Sequence, residues 1–185
     1  MASPARPVTR SSSYQECGIQ GLADRSPLTV RVFAEVSSDR KQLLFSVLDP
    51  KQGRRPELAR FSNAHADELQ WELSPSGTQV LLHRPFTREI AILSLKEKRS
   101  WRLGVKADMH LRNITWTADE EGLFAANAVQ TGAQSVHIDL LGNSSVLWTV
   151  PGSDVSLLAR ASADGHHLAI QTSAHNSNMW MAENF

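Results

Sequence analysis

Cysteine and long apolar runs are scarce in this sequence. Cys17 is the one cysteine, so the chain cannot form an intramolecular disulfide, which is compatible with a reducing compartment. No histidine neighbours Cys17, and we expect an inert thiol there. The chain has no run of about 18 apolar residues, and its basic start, residues 1–13, is followed by no apolar segment. The sequence predicts no membrane insertion and no secretory signal; as it stands we expect a cytoplasmic chain, with the compartment of any longer parent unknown.

Net charge is also missing. The 185 residues include 19 basic and 19 acidic side chains, so no long-range field draws the chain to nucleic acid or to an anionic membrane surface. We therefore predict that nucleic acid is not a partner. With 41% hydrophobic residues, the composition is that of one globular domain with a substantial core.

The sequence lacks the motifs of several catalytic sites. A serine hydrolase needs a Gly-x-Ser-x-Gly elbow to hold its nucleophile on a strained turn, and none occurs. The phosphate-binding P-loop and the Gly-x-Gly-x-x-Gly and His-Arg-Asp motifs of kinases are absent as well. We predict a non-enzymatic protein with no catalytic residue, no cofactor-binding residue and no cofactor.

Two groups of potential metal ligands have unfavourable spacing. His166, His167 and His175 come late in the chain, but adjacent histidines on a strand point to opposite faces, and no His-x-x-x-His or cysteine pair accompanies them. The run Asp119-Glu120-Glu121 lacks the alternating acids of a calcium loop, so we predict a solvated turn there and no metal site. The basic cluster, formed by Lys51, Arg54 and Arg55, is likewise interpreted as a solvated loop and not an anion site.

What the sequence does contain is a polar turn that runs into an apolar strand and recurs four times. Its clearest copy is Ser162–Ile170, and the others begin at Ser38, Ser74 and Thr117. These anchors are 36, 43 and 45 residues apart. Periods of about 40 to 50 residues in a strand-rich chain are typical of β-propeller blades.

The composition of the repeated turn predicts a tight hairpin with a structural role. Ser, Thr and Asp can bond the nearby backbone, and Gly supplies a positive φ. The first copy has no glycine, and we interpret Asp119-Glu120-Glu121 as an insertion in the third copy. The turn at Ser162–Gly165 is therefore expected to shape the fold and not to act as an active-site loop.

Short strands are predicted between the turns. They are 28–36, 42–48 and 56–61, then 68–73, 79–83, 88–95 and 100–103, then 111–116, 122–126, 135–140 and 145–150, and finally 155–161, 168–171 and 177–182. Val80–Leu82 and Ile90–Leu93 are apolar on both strand faces, so both faces must be covered, as they are in a blade between two neighbours. We predict an all-β, β-propeller-like fold of about four blades. Its units are about 28–63, 66–104, 109–151 and 153–185, after a flexible leader of residues 1–27.

The last unit has three predicted strands where the second and third have four. A missing strand leaves unpaired backbone groups at an edge, so we consider self-association through an open blade edge, completion by a strand near the other terminus, or continuation of a larger propeller. Trp101 and Trp148 fall 47 residues apart in matching fourth strands. We expect them to pack between blades and not to stack on a ligand.

The pattern Ser-x-Asp-Gly-x-x-Leu-Ala at 162–169, with Asn178-Met179-Trp180-Met181 after it, resembles the repeat of TolB-like, WD-repeat-like β-propellers of bacteria. The ending, 176–185, resembles the C-terminus of propeller domains fused to serine/threonine kinases or winged-helix regulators. The resemblance implies a scaffold that recognises a protein or small ligand at the loops around the blade tops, as the C-terminal part of a larger sensor or regulatory protein. The alternatives are an accessory propeller of a hydrolase whose catalytic domain is absent from this chain, or a fragment without a function of its own.

Overall fold

The computed structural model describes residues 31–49, 53–152 and 155–174. The elements of this part are β1 (Arg31–Val36), β2 (Gln42–Asp49), β3 (Gly53–Ser62), a 3₁₀ turn (Ala66–Glu68), β4 (Gln70–Leu73), β5 (Gln79–His83), β6 (Glu89–Ser94), β7 (Arg99–Gly104), β8 (Leu111–Trp116), β9 (Gly122–Val129), β10 (Gly132–Asp139), β11 (Ser144–Pro151), β12 (Val155–Ala161) and β13 (Leu168–Ala174).

The strands form four antiparallel sheets that follow one another along the chain. The first sheet has the order β1-β2-β3, the second β4-β5-β6-β7, the third β8-β9-β10-β11 and the fourth β12-β13. Each strand pairs with its neighbour in sequence, as expected for blades built from successive hairpins. The all-β class and the partial β-propeller predicted from the sequence are confirmed.

Two predicted strands begin elsewhere in the structure. β3 begins at Gly53 and not at residue 56, because Gly53 and Arg54 continue the ladder with β2, so Arg54 and Arg55 lie in a strand and not in a loop. A 3₁₀ turn occupies Ala66–Glu68, just where the fourth predicted strand was to begin. Several predictions fall outside the described residues, namely the leader 1–27, the strand 177–182, Cys17, Lys51 and His175.

Apolar clusters fill the spaces between successive sheets. β5 shows why a continuous apolar run was needed: Val80 and Leu82 pack toward the first sheet, while Leu81 packs toward the third. Between the first two sheets the fully buried Phe45 meets the ring of Trp71 edge-on, with centroids 5.4 Å apart. The cluster between the third and fourth sheets is smaller, and its buried members are Ala126, Ala133, Leu157 and Ala159.

The first sheet is reversed end for end relative to the second. Its β1–β2 turn contacts the segment leading into β4: the Ala66 amide donates to the carbonyl of Arg40 at 3.2 Å, and the Arg40 guanidinium lies 3.6 Å from Asp67. Glu68 in turn lies 3.7 Å from Arg84 of the β5–β6 turn, at the end of the second sheet where β4 starts. The cause is the odd number of strands. A chain that leaves after three strands is at the end where its first turn lies, and a short link begins the next sheet there.

The later sheets share one orientation. The β4–β5 turn meets the β8–β9 turn through Glu120, whose carboxylate accepts hydrogen bonds from the amide and the hydroxyl of Ser76. The β12–β13 turn follows, since a methyl group at Gly165 would lie 3.4 Å from Cβ of Ala118. Three of the four repeated turns therefore line one end of the molecule, and the turn of the first sheet lies toward the other.

All four repeated turns have the same hydrogen bonds. The anchor hydroxyl accepts the amide N–H five residues later, at 3.0 to 3.2 Å, and the residue two positions after the anchor accepts the amide N–H two residues beyond itself. In the first copy the anchor is Ser37, because the Gln42 amide donates to its hydroxyl. The predicted anchor, Ser38, was wrong by one residue.

The position three residues after the anchor has a positive φ in every copy. Its occupants and their φ values are Arg40 at 58°, Gly77 at 75°, Glu120 at 62° and Gly165 at 72°. The predicted insertion in the third copy is therefore wrong: Glu120 takes the place of the turn glycine, and Gly122 begins β9. The conformation is retained without glycine because the same side-chain and backbone hydrogen bonds close the turn.

Candidate functional site

A groove of about 470 Å³ opens between the first and second sheets. One wall is the end of β3 and the link after it, Phe61–His65, and the other consists of Glu89 and Ala91 of β6 with Ser100–Arg102 of β7. Phe61 and Ala91 are buried members of the cluster beneath, so the groove has an apolar floor. Its volume lies within the range of small-ligand sites, which are about 300 to 1,000 Å³, and its walls are mostly polar.

The charges along the groove are unevenly neutralised. Glu89 lies 3.4 Å from the Arg84 guanidinium, and His65 lies 3.4 Å from Glu68. Arg102 is exposed and is not among the described ion pairs. The groove therefore keeps one basic side chain able to bind an incoming carboxylate or phosphate.

β7 is an edge strand with a basic character. Among the described strands it pairs only with β6, which leaves its outer row of backbone groups open. The segment Lys96–Arg102 has four basic side chains and one acidic side chain, and all seven residues are exposed. Positive charges along an edge oppose pairing with another copy of the same strand and favour pairing with an acidic strand.

The innermost strands bring a second set of polar groups together. Glu72 of β4 and Arg160 of β12 have corresponding places, two residues before the anchors Ser74 and Ser162. Burial raises the pKa of Glu72 to about 7, and the positive charge of Arg160 opposes that shift. The Trp116 indole N–H donates to the backbone carbonyl of Glu72 at 3.4 Å. A half-buried carboxyl that titrates near neutrality is a common feature of functional sites, though ion-pair networks in the core show it as well.

Side chains of β8 also bind the backbone of the next sheet. The Asn113 amide donates to the carbonyl of Leu157, and the Thr115 hydroxyl donates to that of Ala159, each at 2.9 Å. Asn113 has a φ of 46° at an irregularity in the pairing of β8 with β9. Polar side chains of β8 thus bind the fourth sheet to the third.

His83, at the end of β5, is a buried titratable group that the sequence did not single out. Its side chain is 4% exposed, its Nδ1 has no hydrogen-bond partner among the described residues, and burial lowers its pKa to about 4. The imidazole is therefore neutral at physiological pH. The only sequence signal was its position at the end of an apolar run.

The prediction that Trp101 and Trp148 pack between blades is wrong. They are 42% and 55% exposed. Both lie in fourth strands, as predicted, but not at equivalent places. Trp101 stands opposite Ile92, which pairs with Leu81, seven residues after its anchor. Trp148 stands opposite Ser135, which pairs with Ala126, nine residues after its anchor. Each tryptophan lies on the outermost strand of its sheet, where the described chain supplies no further strand to cover it. Trp101 instead lines the groove.

The predicted turn residues act within the fold. Asp119 and Asp164 accept hydrogen bonds from the hydroxyls of Thr117 and Ser162, and these bonds lower the pKa of both carboxyls. His166 and His167 are exposed in the fourth turn. No group of three histidine, cysteine or acidic residues able to hold a metal ion occurs in the ranges that the structure describes. In those ranges, too, no helix is long and apolar enough to cross a membrane.

Comparison with known proteins defines the class of fold. No family model matches the sequence, and no curated protein is similar to it in sequence. Among solved structures the similarity is to β-propellers. TolB from Acinetobacter baumannii superimposes with a TM-score of 0.51 at 21% identity, over 80% of this chain and 36% of that chain. The likeness confirms, at the level of fold, the resemblance to TolB-like propellers.

Other solved structures align with lower scores. The dihydro-heme d1 dehydrogenase NirN has a TM-score of 0.49 at 16% identity, over 93% of this chain and 38% of that one. A putative 6-phosphogluconolactonase from Bacteroides fragilis NCTC 9343 has 0.43 at 15% identity, over 80% and 49%. This chain thus spans between about a third and a half of the lengths of these proteins.

Proposed function

We propose that this protein is a non-enzymatic recognition module that binds an extended, acidic peptide segment of a partner protein. The observation that carries the proposal is the position of the groove beside the open edge of β7. An extended segment could add to that edge through main-chain hydrogen bonds and place alternate side chains in the groove, which is a common mode of peptide recognition. Such a module suits a scaffold or the sensing part of a larger regulatory protein.

The charge of the site supports an acidic ligand. Arg102 can pair with a carboxylate through two parallel N–H donors, and the exposed lysines and arginines of the 96–102 segment would draw an acidic partner toward the edge. Trp101 offers an exposed aromatic surface beside Arg102, and such residues are frequent anchors at interfaces. The repeated turns offer less, because their hydroxyl and carboxylate groups already bond within the turns.

The test is a titration of labelled synthetic peptides of one length and high β-propensity that are acidic, neutral or basic, followed by fluorescence anisotropy. We expect the acidic peptide to bind best, and Arg102→Glu to weaken its binding roughly tenfold or more, about 1.4 kcal/mol. The matched control is Arg88→Glu. Arg88 is also exposed but lies outside the groove, 3.6 Å from Asp108. Equal binding of all peptides, or equal losses in both variants, would contradict the proposal.

The hydrolase alternative predicts a different result in the peptide titration. An accessory propeller of such an enzyme would control access to a catalytic domain and would bind peptides without preference for acidic side chains along β7. Turnover of any peptide by the isolated chain would overturn the non-enzymatic assignment, and peptide cleavage is followed in the same samples by mass spectrometry.

A further inference from the structure

The outer strand of the third sheet has an exposed apolar surface that the groove does not use. Val146, Leu147 and Trp148 follow one another in β11 and are 52%, 44% and 55% exposed. Leu140 and Leu141, in the turn before β11, are exposed as well, and Leu141 is 77% exposed. Single exposed apolar residues are ordinary, but five large ones in one outer strand and the turn before it indicate an interaction site.

The backbone of β11 is also open. In the described part of the chain β11 pairs only with β10, and the run from Ser145 to Thr149 is exposed throughout. Folded proteins commonly protect such an edge with charged side chains, proline or an irregularity. β11 has Pro151 at its end and an irregularity where Val136 and Ser135 face Val146 and Trp148, which leaves Leu147 as the extra residue.

The outer strand of the second sheet has the charged side chains that β11 lacks. β7 has Arg99 and Arg102 on its edge and follows three further charged residues, Lys96–Lys98. The stretch Leu140–Pro151 contains no charged residue. A basic edge repels its own copy, whereas a neutral and apolar edge does not. The two edges are therefore suited to different partners.

We propose that β11, with Leu140 and Leu141, is a self-association surface whose occupant is a second copy of this chain. In a two-fold dimer each residue meets its symmetry counterpart or a near neighbour of it, so any charge in the stretch would face a like charge. The uncharged Leu140–Pro151 stretch meets that condition, and the equal numbers of basic and acidic side chains leave no net repulsion between copies.

The extra residue in β11 defines the character of the interface. Because Leu147 interrupts the regular pairing, an uninterrupted ladder with the second copy is limited to a few residues on either side. Contact between the apolar side chains of Val146, Leu147 and Trp148 then supplies most of the binding free energy. We therefore expect a reversible dimer and not a fibre, because a two-fold contact closes on itself.

The test is sedimentation velocity over a concentration series with the full chain. We expect the fraction of dimer to rise with concentration, and Trp148→Lys to weaken dimerisation roughly tenfold or more, about 1.4 kcal/mol. Trp101→Lys is the control, because Trp101 is likewise an exposed tryptophan on the outer strand of its sheet but lies on β7, and it should leave the dimer unchanged. Thermal melts of the variants check folding. Thr149→Lys, an exposed change on the same edge, serves if Trp148→Lys fails to fold.

A wild-type chain that stays monomeric at every concentration would overturn the proposal, even if another protein binds the same surface. Equal weakening by Trp148→Lys and Trp101→Lys would also overturn it, because the dimer would then not depend on β11. Loss of peptide binding in Arg102→Glu with an unchanged dimer is compatible with it, since the two surfaces lie on different sheets.

Discussion

At the scale of single residues, the half-buried Glu72 and the buried His83 oppose each other in how they make stability depend on pH. Burial raises the pKa of Glu72 from its ordinary value of 4.5 to about 7, so ionising this carboxyl costs stability. Burial lowers the pKa of His83 from 6.5 to about 4, so protonating this imidazole costs stability as well. Between about pH 4.5 and 6.5 the two effects have opposite slopes and partly cancel.

Replacing one of the two groups should reveal the pH dependence of stability that the other one causes. The Glu72 contribution is complete below pH 4.5 and is lost as the pH rises toward 7, so Glu72→Gln should become more stable than wild type by about 2 kcal/mol at pH 8. The His83 contribution is complete above pH 6.5 and is lost as the pH falls toward 4, so His83→Leu should gain a similar amount at pH 4. Urea unfolding across this pH range measures both.

The control for this experiment is Glu97→Gln, which makes the same change of side chain at an exposed position. Parallel stability curves for wild type and both core variants would show that neither group titrates as its burial requires.

The sequence predicted the environment of single side chains less well than it predicted the strands. An apolar run shows that a sheet is covered on both faces, but it does not show which outer-strand side chains remain exposed, and Trp101 and Trp148 were misplaced for that reason. The shifted pKa values of His83 and Glu72 could not be predicted from the sequence, because they depend on neighbours that come together only when the sheets pack.

At the scale of elements, the repeated turn depends on its hydrogen bonds and on one positive φ. Gly77→Ala isolates the effect of φ, because a methyl group there would meet nothing within 4 Å. We expect a loss of about 1 kcal/mol, the cost of a left-handed conformation for a residue with Cβ. Arg40→Gly should give a gain of similar size, since its exposed ion pair with Asp67 contributes little. Thermal denaturation of both variants measures these changes.

Gly77→Asn provides the graded control, because asparagine tolerates the left-handed region better than alanine does. We expect Gly77→Asn to lose some stability relative to wild type, but less than Gly77→Ala. A destabilising Arg40→Gly would indicate that the arginine side chain contributes more to the first turn than its backbone strain costs.

The sequence predicted all four turns but made errors in two of them, and those errors have a clear source. Residue type at the glycine position proved to be a poor guide, since Arg40 and Glu120 adopt the same conformation as Gly77 and Gly165. The four turns share the hydrogen bond to the anchor hydroxyl. In the first turn the residue types do not show which of the adjacent Ser37 and Ser38 makes this bond.

At the scale of the whole molecule, stability is built from contacts between neighbouring sheets. The second sheet takes part in two of the clusters and so does the third, while the first and fourth sheets each have one. In such a series each unit depends mainly on its neighbours, and an end unit can open without the rest.

Phe45→Ala should therefore release the first sheet selectively. Phe45 is fully buried and contacts Trp71, so we expect a loss of about 3 to 5 kcal/mol from the cavity and the missing contacts. Hydrogen exchange followed by mass spectrometry should show loss of protection in 31–62 and retained protection in 111–151. Uniform loss across both ranges would show that the four sheets unfold as one cooperative unit.

The reversal of the first sheet has a consequence for how any repeat of this kind is interpreted. An alignment of the four turns scores the first copy as equivalent to the others, whichever end of the molecule it faces. The orientation depends on the parity of the strands between turns: an even number preserves it, and an odd number inverts it. Inserting one strand between residues 62 and 70 would make that number even and give every later sheet the same orientation as the first, without altering a single repeat motif.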